Sequence, residues 1–209
     1  VDNIRQRLEK LHSTSVSDGL HGRGVMASYI KPILPGEILA GPAYTVRPVP
    51  GDHLTVVKAL STAEPGSVLV IDGGGVTEVA MLGEMMCTFG QRRGLAGAVV
   101  DGAIRDVAGV RRLGFQVFTR AITPRSAVEE SLGEVQVPIA CGGVAVHPGD
   151  WIMGDDDGVS VIPAELLAQV LRGAEASEET DEALRGGADF MSFLGMDRVL
   201  AAKEAARKE

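Results

Sequence analysis

Aromatic residues are scarce in this chain, at 4%, and among its 209 residues there are only two cysteines, Cys87 and Cys141. The two lie far apart and match no metal-ligand spacing, so a zinc ribbon or a disulfide scaffold is not expected. Two reduced thiols fit a cytoplasmic protein. No apolar run reaches the roughly 18 residues that a membrane-spanning helix needs. The formal net charge of −8 repels a phosphate backbone, so a nucleic-acid partner is not expected either. The opening segment, VDNIRQRLEKL, has the pattern of an amphipathic helix and not that of a signal peptide. Gly73-Gly74-Gly75 is followed by no Gly-Lys-Ser/Thr and is not a phosphate-binding P-loop.

Glycine is plentiful, at 27 residues, which implies many tight turns and backbone that a ligand can approach closely. The length suits one domain spanning 1–209, with a polar helical tail from about residue 177. Ile4, Leu8 and Leu11 mark one face of a helix over Asn3 to Leu11, and SVSDGL (Ser15 to Leu20) reads as a cap and a short helix. Short β segments are expected between Gly36 and Arg47, and a helix over Asp52 to Leu60. SVLVI (Ser67 to Ile71) and GAVV (Gly97 to Val100) read as buried strands, the second ending at Asp101-Gly102. Helices over Gly83 to Arg93 and Arg105 to Leu113 follow them, then a strand at Gln116 to Phe118. This alternation implies parallel strands with right-handed crossovers. Between Glu134 and Val161 short strands follow one another without helices, which suggests a second, mixed or antiparallel sheet. Pro163 then starts a helix carrying Leu166, Leu167, Val170 and Leu171 on its apolar face.

Two junctions carry the chemistry. At Gly83-Glu84-Met85-Met86 a loop enters a helix, and unpaired backbone N–H groups there favour an anion such as a carboxylate. Glu84 could face a cation or merely complement the helix dipole. At Arg105-Asp106, just past a buried strand, the planar guanidinium can grip a carboxylate or an enolate oxygen, and the carboxylate offers hard oxygen to Mg²⁺ or Mn²⁺. An ordinary helix-start pair is the competing account of Arg105 and Asp106. The second junction falls where ligands bind in α/β sheets, beyond the carboxyl end of a strand, and if both junctions lie on one sheet edge their side chains meet.

Glu84, twenty intervening residues, and Arg105-Asp106 together resemble the acidic-X20-Arg-Asp signature of the class II pyruvate aldolases, whose best-known activity is cleavage of 4-hydroxy-4-methyl-2-oxoglutarate. Their superfamily also contains RraA-like regulators of ribonuclease activity. The resemblance covers nearly the whole chain through SVSDGL, GPAYTV, Gly51-Asp52, DGAIRD, LGFQVF and GDDDGVSVIP.

The resemblance implies an α/β fold of the swivelling β/β/α type, mixed sheets with flanking helices, assembled as a homotrimer or a dimer of trimers with active sites between subunits. It implies a small 2-oxo acid as substrate and a divalent metal as cofactor. Asp106 would bind the metal directly and Glu84 through water. Arg105 would bind substrate and stabilise the enolate, and the backbone at Gly83, Met85 and Met86 would hold the pyruvate carboxylate. Glu178 or Glu179 from an adjacent subunit would reach the metal through water. Oxaloacetate decarboxylation would pass through the same enolate. The chain departs from the family type in having Glu rather than Asp at 84, and Gly109 where many relatives carry an acidic residue. The non-catalytic regulator is the alternative, and Asp106 argues for the enzyme, because the regulators lack this carboxylate.

Other features weigh less. Asp155-Asp156-Asp157 reads as a turn, His53 at a helix start could touch substrate but reads first as a capping or surface residue, and Met81, Met85 and Met86 read as core or interface packing. His12, His21 and His147 form no metal spacing, and Arg92-Arg93 and Arg111-Arg112 read as solvated faces.

Overall fold

The structure is a computed structural model and describes residues 2–189, 191 and 195–207. Two short helices open it, α1 (Asp2–Leu8) and α2 (Ser13–Gly19), followed by β1 (Lys31–Pro32) and the long β2 (Leu39–Arg47). Next come α3 (Leu54–Thr62), β3 (Val68–Ile71), β4 (Ala80–Leu82), α4 (Glu84–Arg92), β5 (Gly97–Ile104), α5 (Val107–Leu113) and β6 (Val117–Ile122). Five short strands follow: β7 (Glu134–Val135), β8 (Ile139–Cys141), β9 (Val144–Val146), β10 (Trp151–Gly154) and β11 (Val159–Ile162). A 3-10 turn at Ala164–Leu166 leads into α6 (Leu167–Arg185), and α7 (Met196–Ala205) lies near the end.

The parallel core expected from the strand–helix alternation is present: β2, β3, β5 and β6 are parallel neighbours. The second sheet expected between 134 and 161 is not separate. β2 is long enough to serve both halves, because Ala43–Val46 pairs with β3 in parallel while Leu39–Pro42 pairs with β10 antiparallel. The strands β10 and β11 thereby extend the main sheet, whose order is β1-β6-β5-β3-β2-β10-β11. Only the β8–β9 hairpin stands apart.

Alternation along each strand divides the core. Leu69 and Ile71 of β3, and Ala98 and Val100 of β5, point to the face covered by α3, α4 and α5. Val68, Val70 and Val99 point to the opposite face, where Phe118, Ile152 and the β8–β9 hairpin pack. Strands buried on both faces lose the polar alternation of a one-sided sheet, which is why SVLVI and GAVV read as continuous apolar runs. Each fully buried Val, Leu or Ile among them contributes roughly 2 kcal/mol. A third cluster joins α1, α2 and α6 to β10 and β11 through Leu8, Val16, Trp151, Ile162 and Val170. The apolar spacing of α6 is therefore spent on α2 and the sheet, and the helix runs on to Arg185, well past the expected start of the polar tail. Among the described residues no helix is long and apolar enough to cross a membrane.

The strand expected to end at Asp101-Gly102 instead continues to Ile104, with a register shift against β6 between Val100 and Ala103. At this irregularity Asp101 is consumed structurally. Its Oδ1 accepts from Arg120 Nε at 2.7 Å and its Oδ2 accepts from the Gly142 amide at 2.8 Å, tying the β8–β9 turn to the sheet. The three aspartates at 155–157 form the expected turn. Asp155 also reaches back to the start of α2, accepting from Ser13 N at 2.7 Å and Ser13 Oγ at 2.6 Å, a cap supplied from far along the chain.

Candidate functional site

A strand that the sequence does not advertise builds the site. β4 is only three residues long and lies parallel to the extended end of β5, with Leu82 in register with Ile104. The residues that follow these partners, Gly83-Glu84 and Arg105-Asp106, must therefore emerge side by side. The amide of Arg105 donates to Leu82 O at 3.0 Å and fixes the alignment. The twenty-residue spacing is thus the length of one α4 excursion and its return along β5.

Gly83 caps α4 in an extended conformation (φ −147°). A Cβ there would lie 2.8 Å from Asp106 Oδ2 and 3.1 Å from Arg105 Cγ, so the bare backbone is what lets both side chains close over it. Asp106 Oδ2 sits 3.4 Å from the Glu84 amide and 3.5 Å from Arg105 Nε. The amides of Met85 and Met86 have no acceptor among the described residues, which leaves them open to an anion. Asp106 itself is held at φ 58°, ψ 34°, a left-handed conformation rare for a residue with a side chain and often found at functional sites. Arg105 therefore lies between β5 and α5 and not within the helix that its neighbours were expected to share.

Glu84 folds over Gly109: its carboxylate occupies the place where a side chain at 109 would begin. Glu84 and Gly109 are thus one feature in space. The Glu84 carboxylate fills the room that a missing side chain at 109 leaves. Arg112 Nη2 approaches the same carboxylate at 3.7 Å. Beneath the two acids lies Cys87, whose thiol is pushed up to about 12 by burial first, then by the nearby charges of Asp106 and Glu84.

Arg105, Asp106, Gly83, Met85 and Met86 share a cavity of about 770 Å³. Glu84 opens instead on an adjoining hollow of about 570 Å³, which Asp106 and Met85 also border. The far wall of the main cavity is α3, with Leu54, Val57 and Lys58, together with Glu129 and Leu132 of a following loop. That loop is pinned by Asp52, whose Oδ2 accepts from the amides of Glu130 (2.8 Å) and Ser131 (2.6 Å) while its Oδ1 accepts from Leu54 N (2.8 Å). These bonds, the one from Leu54 foremost, hold the Asp52 carboxyl below the usual range.

For His53 the structure overturns the capping or surface reading and favours the other one, a place at the cavity. It is neither a surface residue nor a side-chain cap, for it is 6% exposed, lines the cavity that contains Arg105, and donates from Nε2 to Glu129 Oε1 at 2.8 Å. Its position beside Asp52 was visible in the sequence, but its partner lies 76 residues away. Met81 is buried as expected of core, whereas Met85 is 78% exposed at the cavity edge.

The two C-terminal glutamates differ. Glu178 is engaged within its own chain: it accepts from Ser15 Oγ at 2.6 Å and from His12 N at 3.0 Å, and lies 2.9 Å from His12 Nδ1. Burial works against its charge, but these bonds outweigh it and hold the carboxyl below the usual range. Glu179 is exposed.

A sequence profile of the RraA-like family, described as Aldolase/RraA, matches residues 13–161. A Halalkalibacterium halodurans protein that carries the provisional name of 4-hydroxy-4-methyl-2-oxoglutarate aldolase is 41% identical over 183 residues, 88% of this chain and 87% of that protein. A Thermus thermophilus 4-hydroxy-4-methyl-2-oxoglutarate aldolase is 38% identical over 124 residues, 59% of this chain and 75% of that one. Among solved structures, Streptomyces coelicolor RraAS2, described as an unusual member of the RNase ES inhibitor RraA protein family, superposes with a TM-score of 0.78 at 32% identity, covering 88% of this chain and 96% of that one. An uncharacterized Pseudomonas syringae protein superposes with a TM-score of 0.83 at 29% identity and 94% coverage of both chains. The profile spans well over half of the sequence, and the mixed sheet with flanking helices is shared with these structures; the chain belongs to the RraA-like family.

Proposed function

We propose that this protein is a divalent-metal-dependent lyase that cleaves 2-oxo acids of the 4-hydroxy-4-methyl-2-oxoglutarate type to pyruvate, with oxaloacetate decarboxylation as a second activity of the same site. The observation that carries the reading is the meeting of Arg105, Asp106 and the open amides of α4 at one end of a cavity of about 770 Å³. The names of the Halalkalibacterium and Thermus relatives support the same substrate class.

The donor chemistry fits Mg²⁺ or Mn²⁺. Among the described residues no three His, Cys, Asp or Glu side chains gather into a cage. Mg²⁺ is commonly bound through one or two carboxylates with water and substrate oxygens completing its shell. Asp106 is the carboxylate for direct contact, Glu84 the one acting through water, and Glu178 or Glu179 of an adjacent copy a further outer partner. Once bound, the metal supplies Lewis-acid polarisation of the 2-oxo acid.

The protein's own groups do the rest in this reading. The amides of Met85 and Met86 and the guanidinium of Arg105 hold the substrate carboxylate. Glu84 takes the C4 hydroxyl proton through water. The C3–C4 bond breaks, its electron pair becomes the C2–C3 double bond of the enolate, and Arg105 meets the charge that develops on the enolate oxygen. Loss of Arg105 removes a charge-assisted donor at that oxygen, an effect on the order of 3 kcal/mol or roughly 100-fold in rate. Exposed apolar side chains at the cavity edge, Met85, Phe89, Val57 and Leu132, support assembly into a trimer or a dimer of trimers.

The test is exchange of pyruvate methyl protons in D₂O, followed by NMR with Mg²⁺ and then with EDTA. Metal-dependent exchange that vanishes in Arg105→Ala and Asp106→Ala supports enolate formation at this site. Absence of exchange with metal present would sink the lyase reading and favour a protein-binding regulator.

A further inference from the structure

We infer that His53, oriented by Glu129, is the group that carries the proton to and from C3 of the pyruvate enolate; the inference rests on the lyase reading above. Cleavage leaves a carbon nucleophile that must be protonated, and neither Arg105 nor Asp106 suits the task. A guanidinium does not give up its proton, and Asp106 is committed to the metal. Five charged or titratable side chains line the cavity: His53 just before α3, Lys58 within it, Glu129 from the loop after β6, and Arg105 and Asp106 across from them. Of these side-chain types, only an imidazole both donates and accepts protons near neutral pH without a perturbed environment.

The arrangement around His53 is that of an oriented base. Its amide donates to Val128 O at 3.0 Å, and its carbonyl accepts from Val57 N at 3.1 Å, so the backbone is fixed on both sides. Glu129 Oε1 at 2.8 Å accepts the Nε2 proton, which assigns the lone pair to Nδ1. Nδ1 has no hydrogen-bond partner among the described residues, and no polar side-chain atom is buried without one, so Nδ1 remains reachable. Leu54, Val57, Leu60 and Leu132 give the cavity apolar walls. In the exchange direction Nδ1 takes a methyl proton of pyruvate, the C–H pair becomes the C2–C3 double bond, and the carbonyl pair moves onto oxygen facing Arg105. The reverse transfer returns a proton from Nδ1 to C3, restores the ketone and leaves the imidazole neutral.

The experiment compares the intact protein with His53→Ala, Glu129→Gln and the double variant, at saturating pyruvate and Mg²⁺ in D₂O. His53→Ala is expected to lower methyl exchange by about 100-fold or more, the range of general acid–base groups, with the KM for pyruvate little changed. Added imidazole should restore exchange saturably, because the ring removed leaves room in an open cavity. Glu129→Gln, a change at an exposed carboxylate that leaves the fold alone, is expected to reduce exchange about 10-fold and to have no further effect on His53→Ala. Exchange in His53→Ala within a few-fold of the parent, or a loss confined to KM, overturns the inference. If His53→Ala does not fold, unaltered exchange in Glu129→Gln overturns it instead. Exchange that is abolished in Arg105→Ala yet intact in the His53 variant leaves the lyase reading standing and removes only this proposal. A parent protein without exchange removes both.

Discussion

Replacing Gly109 by alanine separates the stability of the fold from the geometry of the site. Gly109 is the third residue of α5, and its amide donates to Asp106 O at 2.9 Å. Its backbone is helical, so alanine fits the conformation and gains up to about 1 kcal/mol of helix propensity. For a domain of this size that corresponds to a rise in Tm of roughly 2–4 °C. The new methyl group would take the place now filled by the Glu84 carboxylate, so that side chain must swing away. The swing forfeits little stability, because Glu84 is 46% exposed and its 3.7 Å approach to Arg112 is a surface pair worth at most about 1 kcal/mol. The expected result is an unchanged or higher Tm together with reduced Mg²⁺-dependent methyl exchange. Adding Glu84→Asp should ease the conflict, since the shorter arm draws the carboxylate back from 109 by one methylene. The four proteins form a cycle whose coupling can be read in both Tm and exchange rate. A Tm several degrees lower in Gly109→Ala, or full exchange activity in it, would refute the argument that Glu84 and Gly109 share one space.

Three further outcomes are expected. Glu178→Ala removes an acceptor that ties α6 to α2 through Ser15 and His12, and should lower stability on the order of 2 kcal/mol and Tm by roughly 4–8 °C; an unchanged Tm would show that Glu178 is not bound within its own chain. The Asp52 carboxyl is held below its ordinary value of 3.8 in the folded protein, so its contribution is complete above that value and drains away as pH falls through the lower folded value. Denaturation followed across this acid range should therefore show a shallower pH dependence in Asp52→Asn than in the parent, and identical slopes would count against the hydrogen-bonded carboxylate. Burial raises the thiols of Cys87 and Cys141 far above neutrality, so neither should react with a thiol-specific reagent at pH 7 until the chain unfolds; prompt labelling of the native protein would contradict the packing of both.

Some of this molecule was legible in one dimension because local chemistry decides it. SVLVI and GAVV are strands in any packing that covers both faces, and Gly83 and Arg93 bracket α4 as the apolar spacing and the glycine suggest. The Asp155 turn follows from its own side chains, and the spacing from Glu84 to Arg105-Asp106 marked the two junctions of the site. Other features depend on partners far along the chain and leave no local signature. The three residues of β4 are a strand only because β5 overshoots its expected end to pair with them. The short strands after 134 join the main sheet only because β2 is long enough to offer a second edge. The burial of His53 beside the loop bearing Glu129, and the bonds of Glu178 to the start of α2, join residues far apart in the chain. The sequence by itself determined which residue types carry the chemistry and which segments are helix or buried strand, since these rest on side-chain chemistry and periodicity within a few residues. Only the tertiary structure decided which of those residues meet, because strand register and long-range hydrogen bonds are properties of segments brought together by folding.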